Sequence, residues 1–213
     1  FLDLIERRRK GEPVAYLTAS RDFWSLSLAV SPATLIPRAD TELLVEKALE
    51  LPLPDNAQVL DLGTGTGAIA LALASERPSW QVAAVDREAG AVELARHNVA
   101  QLGLVNVQVE QSDWFSTIHS RFDLIVSNPP YVADDDPHLF EGDVRFEPRT
   151  ALVAADQGYA DLHHIIIQGR QFLKSTGWLL VEHGADQGDR VRRIFVAAGY
   201  RAVATFADLA GLP

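Results

Sequence analysis

The chain has 213 residues, 47% of them hydrophobic and 23% charged, with a formal net charge of −10 and no cysteine. That is enough apolar material for one sizeable core, and no apolar run reaches the about 18 residues of a membrane span. Disulfides, thiolate nucleophiles and cysteine-rich zinc sites are excluded, and the acidic balance disfavours the non-specific phosphate attraction on which nucleic-acid binding rests.

At the N-terminus, "FLDLIERRRKGE" predicts the last turns of a helix. Its basic run, Arg7 to Lys10, suits the carbonyl end, and Gly11 suits the left-handed cap. "VAYLTASRDFWSLSLAVSP" alternates and is rich in β-branched and aromatic residues, which predicts a small hairpin. "PRADTELLVEKALEL" predicts a helix with Asp40 or Thr41 as N-cap and Leu43, Leu44, Ala48 and Leu51 on one face. From Gln58 the rhythm changes. Short apolar strands ("QVLDL", "QVAAVD", "VQVEQ", "FDLIVS", "WLLVEH", "YRAVATF") alternate with helical segments ("AIALALASER", "AGAVELARHNVAQLG", about residues 161 to 173, "RVRRIFVAAG"). Strands apolar on both faces and separated by helices indicate a parallel sheet covered on both sides. The expected organisation is the end of a helical domain over residues 1–12, a β-hairpin linker and connecting helix over 13–51, and one doubly wound α/β domain over 52–213.

"VLDLGTGTGAIALAL" is a strand, a tight glycine turn and a helix. Gly63, Gly65 and Gly67 let the backbone approach a ligand, and amides at the helix start can face a polar or anionic group. Asp86 ends the next strand, nineteen positions beyond Gly67, where a carboxylate can accept hydrogen bonds from a ribose diol. The combination points to an adenosine-containing cofactor. Its identity stays open at this turn, because "GTGAIA" also satisfies the looser dinucleotide fingerprint. Asp113 and Trp114 follow the third strand at the same sheet edge, where a carboxylate or an indole can hold an adenine.

"VSNPPYV" follows the fourth strand. Consecutive prolines remove two amide donors and leave carbonyls fixed in direction, and Asn128 adds a side-chain carbonyl. Two fixed acceptors make a receptor for an NH₂ group, with Tyr131 as a flat face for a planar substrate. The nitrogen of an amide or aromatic amine is a poor nucleophile. Acceptors gripping both N–H bonds orient it and stabilise positive charge as it develops. The plain alternative is a proline-rich turn. No Ser-His-Asp set, Walker lysine or metal-like His spacing suggests other chemistry. His163 and His164 point to different faces of a helix, His183 is as readily structural as functional, and Arg38 either shapes the pocket or forms a buried ion pair.

These residues resemble the (N/D)PPY signature of amino-methyltransferases. More narrowly, "IPRADTE", "NPPY" and "FEPRTAL" resemble the HemK/PrmC-type peptide chain release factor N5-glutamine methyltransferases, a likeness running over essentially the whole chain. Ala39 departs from the family's usual proline. The resemblance implies a class I S-adenosylmethionine-dependent methyltransferase fold and transfer of a methyl group to a glutamine side-chain amide of a release factor. It implies S-adenosylmethionine at Gly63, Thr64, Gly65, Thr66, Gly67, Asp86, Trp114 and Asn128. It implies a substrate site at Asn128, Pro129, Pro130 and Tyr131, with Asn128, the Pro129 carbonyl and Tyr131 as the catalytic groups and no metal. It further implies a larger N-terminal helical domain and a closing strand beyond "DLAGLP", so that the chain reads as a trimmed form; a cytoplasmic location is compatible with the absence of cysteine, and a monomer is expected. The rival is an adenine-N6 methyltransferase acting on DNA or RNA. Asp134, Asp135, Asp136, Glu141, Asp143 and Glu147, against Arg145 and Arg149 alone, form an acidic loop that disfavours nucleic acid. A nicotinamide-dependent oxidoreductase leaves "NPPY" unexplained, and a silent binding module leaves an intact cofactor site without use.

Overall fold

The computed structural model describes residues 2–208 and 211. The first helix, α1 (Leu2–Arg9), ends as its basic run suggests, with the Gly11 amide donating to the Arg8 carbonyl at 2.8 Å. The expected hairpin is shorter than its alternation implied. "VAYLT" forms a helical turn, α2 (Val14–Thr18), and only β1 (Ser20–Phe23) and β2 (Leu26–Ala29) pair, antiparallel, from Ser20↔Ala29 to Phe23↔Leu26. The correction has a tertiary cause. Coiling at α2 buries Tyr16 with Val30 and Ile36, and packing overrides local strand preference.

The connecting helix α3 (Glu42–Glu50) buries Leu44, Val45 and Ala48, a face rotated from the expected one, while Leu43 and Leu51 are half-buried. Thr41 holds the N-cap position, but its hydroxyl makes no cap bond. Beyond it come β3 (Gln58–Leu62), α4 (Ala68–Glu76), β4 (Gln81–Asp86), α5 (Ala89–Leu102), β5 (Val107–Gln111) and β6 (Phe122–Ser127). The single turn α6 (Ala155–Gly158), α7 (Ala160–Phe172), β7 (Leu173–Val181) and α8 (Gly188–Ala197) complete the order. The sheet runs β5-β4-β3-β6-β7, and every neighbouring pair is parallel.

Alternate residues divide between two cores, as the strand period of two requires. Val59, Val82, Leu124 and Val126 pack under α3, α4 and α5, where α4 is buried at every position from Ala68 to Ala74. Leu60, Leu62, Val85 and Ile125 face the other way, against Phe115 and Ile165 of α7.

Two expected strands are corrected. β7 starts directly after α7 and stops at Val181, so Glu182 and His183 lie just past it. "YRAVATF" forms no strand. Residues 202–206 face β7 across a groove and not through a ladder, and an apolar alternation becomes a strand only where a neighbour takes its backbone groups. The expectation of a closing strand beyond "DLAGLP" lies outside the described residues.

Two buried polar side chains join the parts that matter for a ligand. Ser127 Oγ at the end of β6 donates to the Leu62 carbonyl at 2.7 Å, tying it to the end of β3. Asn98 of α5 bonds both backbone groups of Ala29, at 2.8 and 3.0 Å, and the Thr66 carbonyl at 2.9 Å. The hairpin is thereby clamped over the glycine turn.

Candidate active site

The glycine turn leaves β3 and closes on β4: the amides of Gly63 and Thr64 both donate to the Val85 carbonyl, at 2.9 and 3.0 Å. The Gly65 amide donates to Asp86 Oδ2 at 2.9 Å, and Asp86 Oδ1 accepts from the Glu88 amide at 3.0 Å. Burial pushes the Asp86 carboxyl up, and these two amides partly hold it down. Beneath the turn, fully buried Asp61 accepts from Thr64 Oγ1 at 2.6 Å and from the Ala70 amide at 3.2 Å. Its Oδ1 has no partner among the described residues, and burial raises its pKa to about 7.

Above the turn is a cavity. Gly63, Thr64, Gly65 and Thr66 line it, with Asp86, Trp114 and Asn128, so seven of the eight expected cofactor residues converge there. The Trp114 indole wall stands 3.4 Å from where a Cβ on Gly63 would lie. Gly67 is the exception. A Cβ there would meet Leu71 Cδ1 at 3.0 Å, so this glycine serves the packing at the start of α4 and does not border the cavity.

The Asn-Pro-Pro-Tyr segment leaves β6 beside the turn. Asn128 Nδ2 donates to Thr41 Oγ1 at 3.0 Å, which explains the missing helix cap. Asn128 Oδ1 and the Pro129 carbonyl accept no hydrogen bond among the described residues. The exit is pinned beyond them. Val132 pairs with Val153 in a parallel bridge, and Gln187 Nε2 donates to the Tyr131 carbonyl at 2.9 Å. Tyr131 Oη donates to Glu182 Oε1 at 3.1 Å; burial and that carboxylate push the phenol's pKa up, so it stays a donor. Pro130 borders the cofactor cavity, Tyr131 borders the neighbouring groove beside β7, and buried Pro129 borders neither. Arg38 reaches both spaces.

Residues 38–141 match the protein family described as "Methyltransferase small domain". The chain is 59% identical over 206 residues to the release factor glutamine methyltransferase of Escherichia coli, covering 96% of the chain and 74% of that relative. It is 56% identical over 209 residues to that of Shewanella oneidensis (98% and 73%), and 58% over 212 to that of Pseudomonas aeruginosa (99% and 77%). The chain belongs to the release factor glutamine methyltransferases. Its fold recurs in a Pyrococcus furiosus methyltransferase at 17% identity, with a TM-score of 0.61 over 93% of this chain and 88% of that one. It recurs again in the ribosomal protein L11 methylase of Lactobacillus delbrueckii at 18% identity, with a TM-score of 0.59 over 80% and 74%.

In this methyltransferase the acidic loop is not uniformly a solvated rim. Glu147 points inward, its side chain wholly unexposed, where it pairs with Arg38 and accepts from the Ile36 amide at 3.0 Å. It thus pins the segment that roofs the cavity. Asp143 pairs with Arg8 at 3.1 Å, Asp134 with Arg149 at 2.5 Å and Asp136 Oδ1 lies 2.7 Å from His138 Nδ1, while Asp134, Asp135 and Glu141 are exposed. His163 and His164 are exposed on α7, and His183 Nδ1 lies 2.9 Å from the Gly184 carbonyl.

Thr41 and Glu182 escaped the sequence reading. Thr41 reads as a helix cap and Glu182 as a strand residue, and nothing local signals that Thr41 meets Asn128 and Glu182 meets Tyr131.

Proposed function

We propose that this chain transfers a methyl group from S-adenosylmethionine to the side-chain amide nitrogen of a glutamine in peptide chain release factors, with Asn128 and the Pro129 carbonyl holding that amide. One observation carries the residue assignment: Asn128, whose Oδ1 accepts no hydrogen bond among the described residues, lines the cavity over the glycine turn, and the unengaged Pro129 carbonyl follows it in the chain.

The cavity suits the donor. A Cβ on Gly65 would have no neighbour nearer than Thr34 Cβ at 3.9 Å and would occupy ligand space; Asp86 offers a carboxylate for a ribose diol and Trp114 an aromatic wall. Gly63, Thr64, Gly65, Thr66, Asp86, Trp114 and Asn128 are the proposed binding residues. When bound, S-adenosylmethionine supplies a methyl group on a positively charged sulfur.

The protein's own part is orientation. Asn128 Oδ1 and the Pro129 carbonyl accept the two N–H bonds of the glutamine amide, which aims the nitrogen and opposes the positive charge that grows on it. Pro129 and Pro130 keep that backbone stiff. Tyr131 gives the amide plane a surface to rest on. No strong base is required beforehand, because the amide proton becomes acidic once the nitrogen has been attacked.

Adenine-N6 transfer presents the same NH₂ chemistry; the family's protein substrate and the exposed Asp135 and Glu141 favour the amide. We read the enzyme as a cytoplasmic monomer with no nucleic-acid substrate, and no described helix is long and apolar enough to cross a membrane. The test offers methyl-labelled donor with unmodified release factor, with a release factor whose glutamine is replaced, with plasmid DNA and with RNA. Label is expected in the unmodified release factor alone; label only in nucleic acid overturns the reading.

A further inference from the structure

We propose that Gln187 is a positioning residue for the transfer: it fixes the Tyr131 carbonyl, and with it the pose in which the bridge of Asn128, Pro129 and Pro130 presents its acceptors to the substrate amide. This role rests on the reading that Asn128 and the Pro129 carbonyl hold that amide.

Gln187 stands directly before α8, in the loop that leaves the carboxyl end of β7. It is only 5% exposed, and both ends of its side chain are engaged: Oε1 accepts from the Gly184 amide at 2.8 Å, and Nε2 donates to the Tyr131 carbonyl at 2.9 Å. The sense of both bonds is settled by their partners, because a backbone amide only donates and a backbone carbonyl only accepts. The same peptide unit is gripped at its other polar atom, where the Val132 amide donates to the Leu152 carbonyl at 2.9 Å. Gly158 closes a third side. Asp156, Gln157 and Gly158 are three left-handed residues in succession, with φ of 54°, 54° and 84°, and a Cβ on Gly158 would lie 2.1 Å from the Tyr131 carbonyl oxygen. Two of the three are not glycine, and such strain persists only where the surrounding structure imposes it.

The upstream end of the bridge is held as firmly. The Ser127 carbonyl accepts from the Glu182 amide at 3.0 Å, and Ser127 Oγ donates to the Leu62 carbonyl at 2.7 Å. Between the two fixed ends lie only Asn128, Pro129 and Pro130, and proline rings lock φ at two of them. A bridge this short and stiff takes its pose from its ends. Releasing the Tyr131 carbonyl frees one end, so the bridge spreads over several poses, few of which meet both N–H bonds of the amide.

The test measures kcat, KM for unmodified release factor, donor Kd and Tm on the full chain for Gln187→Leu, Gln187→Glu and Asn128→Ala, at about pH 9 so that an introduced carboxyl is ionised. Leucine removes both bonds. Glutamate keeps an acceptor for the Gly184 amide, so the turn before α8 stays closed, but it sets a second acceptor against the Tyr131 carbonyl. Both variants are expected to lower kcat about 10- to 100-fold, with KM and donor Kd within about twofold of the parent's. Tm is expected to fall further with leucine than with glutamate. A role confined to holding the turn would make kcat follow Tm, lost with leucine and kept with glutamate. That pattern overturns the inference, and so does parental kcat in Gln187→Leu. If leucine prevents folding, Gln187→Glu decides alone: a lowered kcat supports the role and a parental one overturns it. If Asn128→Ala also keeps parental kcat, the site assignment fails with it. If Asn128→Ala is inactive while both Gln187 variants are fully active, only the role of Gln187 is lost.

Discussion

The glycine turn and the Asn-Pro-Pro-Tyr exit stand at the carboxyl ends of adjacent parallel strands, β3 and β6, yet they are held by different means. The turn is shaped by its own backbone and by carboxylates close in sequence: Asp61 within the motif, and Asp86 twenty-one positions from the Gly65 amide it accepts. The exit is held by side chains from far along the chain. Thr41 is 87 positions from Asn128, and Glu182 and Gln187 are 51 and 56 from Tyr131. A site built from local backbone survives as a motif that can be read in one dimension. A site built from distant side chains exists only after folding.

The largest expected effect tests the exit. Asn128→Ala removes one oriented acceptor and should lower kcat about a thousandfold, ~4 kcal/mol of transition-state stabilisation, while donor affinity changes far less. Single-turnover rates beside calorimetric donor binding separate the two. Equal losses in both would mean that Asn128 serves the donor and not the amide, and the contrast between the regions would collapse.

The next effect falls on the join between them. Asn98 is fully buried, and Asn98→Ala strands the Ala29 backbone groups and the Thr66 carbonyl. Unfolding free energy should drop by about 2–3 kcal/mol, read from denaturant melts, with donor affinity weakened because the hairpin roof loosens. An unchanged donor Kd would show that the glycine turn keeps its shape without the clamp.

The same division explains what the sequence disclosed. β3, α4, β4, α5, β5 and β6 were legible because their apolar periods are long and end at Gly or Asp signals. Seven of eight cofactor residues met in one cavity because they belong to four consecutive strand ends, β3 to β6, and parallel topology alone aligns those ends. Tyr16 was misread because its burial against Val30 and Ile36 is a tertiary contact that imposes a helical turn on a strand-like stretch. Glu147 was misread because composition counts a charge without saying which way it points. Residues 200 to 206 have the alternation of a strand but no ladder partner.

The turn carries a pH effect of its own. Burial raises the Asp61 pKa to about 7, so between the unfolded carboxylate range and pH 7 the folded form keeps a proton that the unfolded chain has released. Stability from this group is complete below pH 4 or so and falls as pH rises toward 7, by at most about 1.4 kcal/mol per pH unit. Asp61→Asn should flatten that part of the profile in melts recorded from pH 5 to 7. A slope that survives the substitution would assign it to other groups.

The smallest effects divide the glycine turn itself. Gly65 and Gly67 both have positive φ, 57° and 87°, so alanine at either position costs about 1 kcal/mol in backbone strain. Their surroundings differ. At Gly67 the added methyl presses on Leu71, at 3.0 Å, and Gly67→Ala should lower Tm further while donor Kd stays near parental. At Gly65 the methyl meets nothing nearer than 3.9 Å in the protein and enters the cavity, so Gly65→Ala should keep the smaller Tm loss yet weaken donor binding about tenfold or more. A glycine pattern read as one motif then resolves into a residue that makes room for a ligand and another that makes room for a helix. Equal donor affinities in the two variants would place the ligand away from Gly65 and return the turn to a packing role.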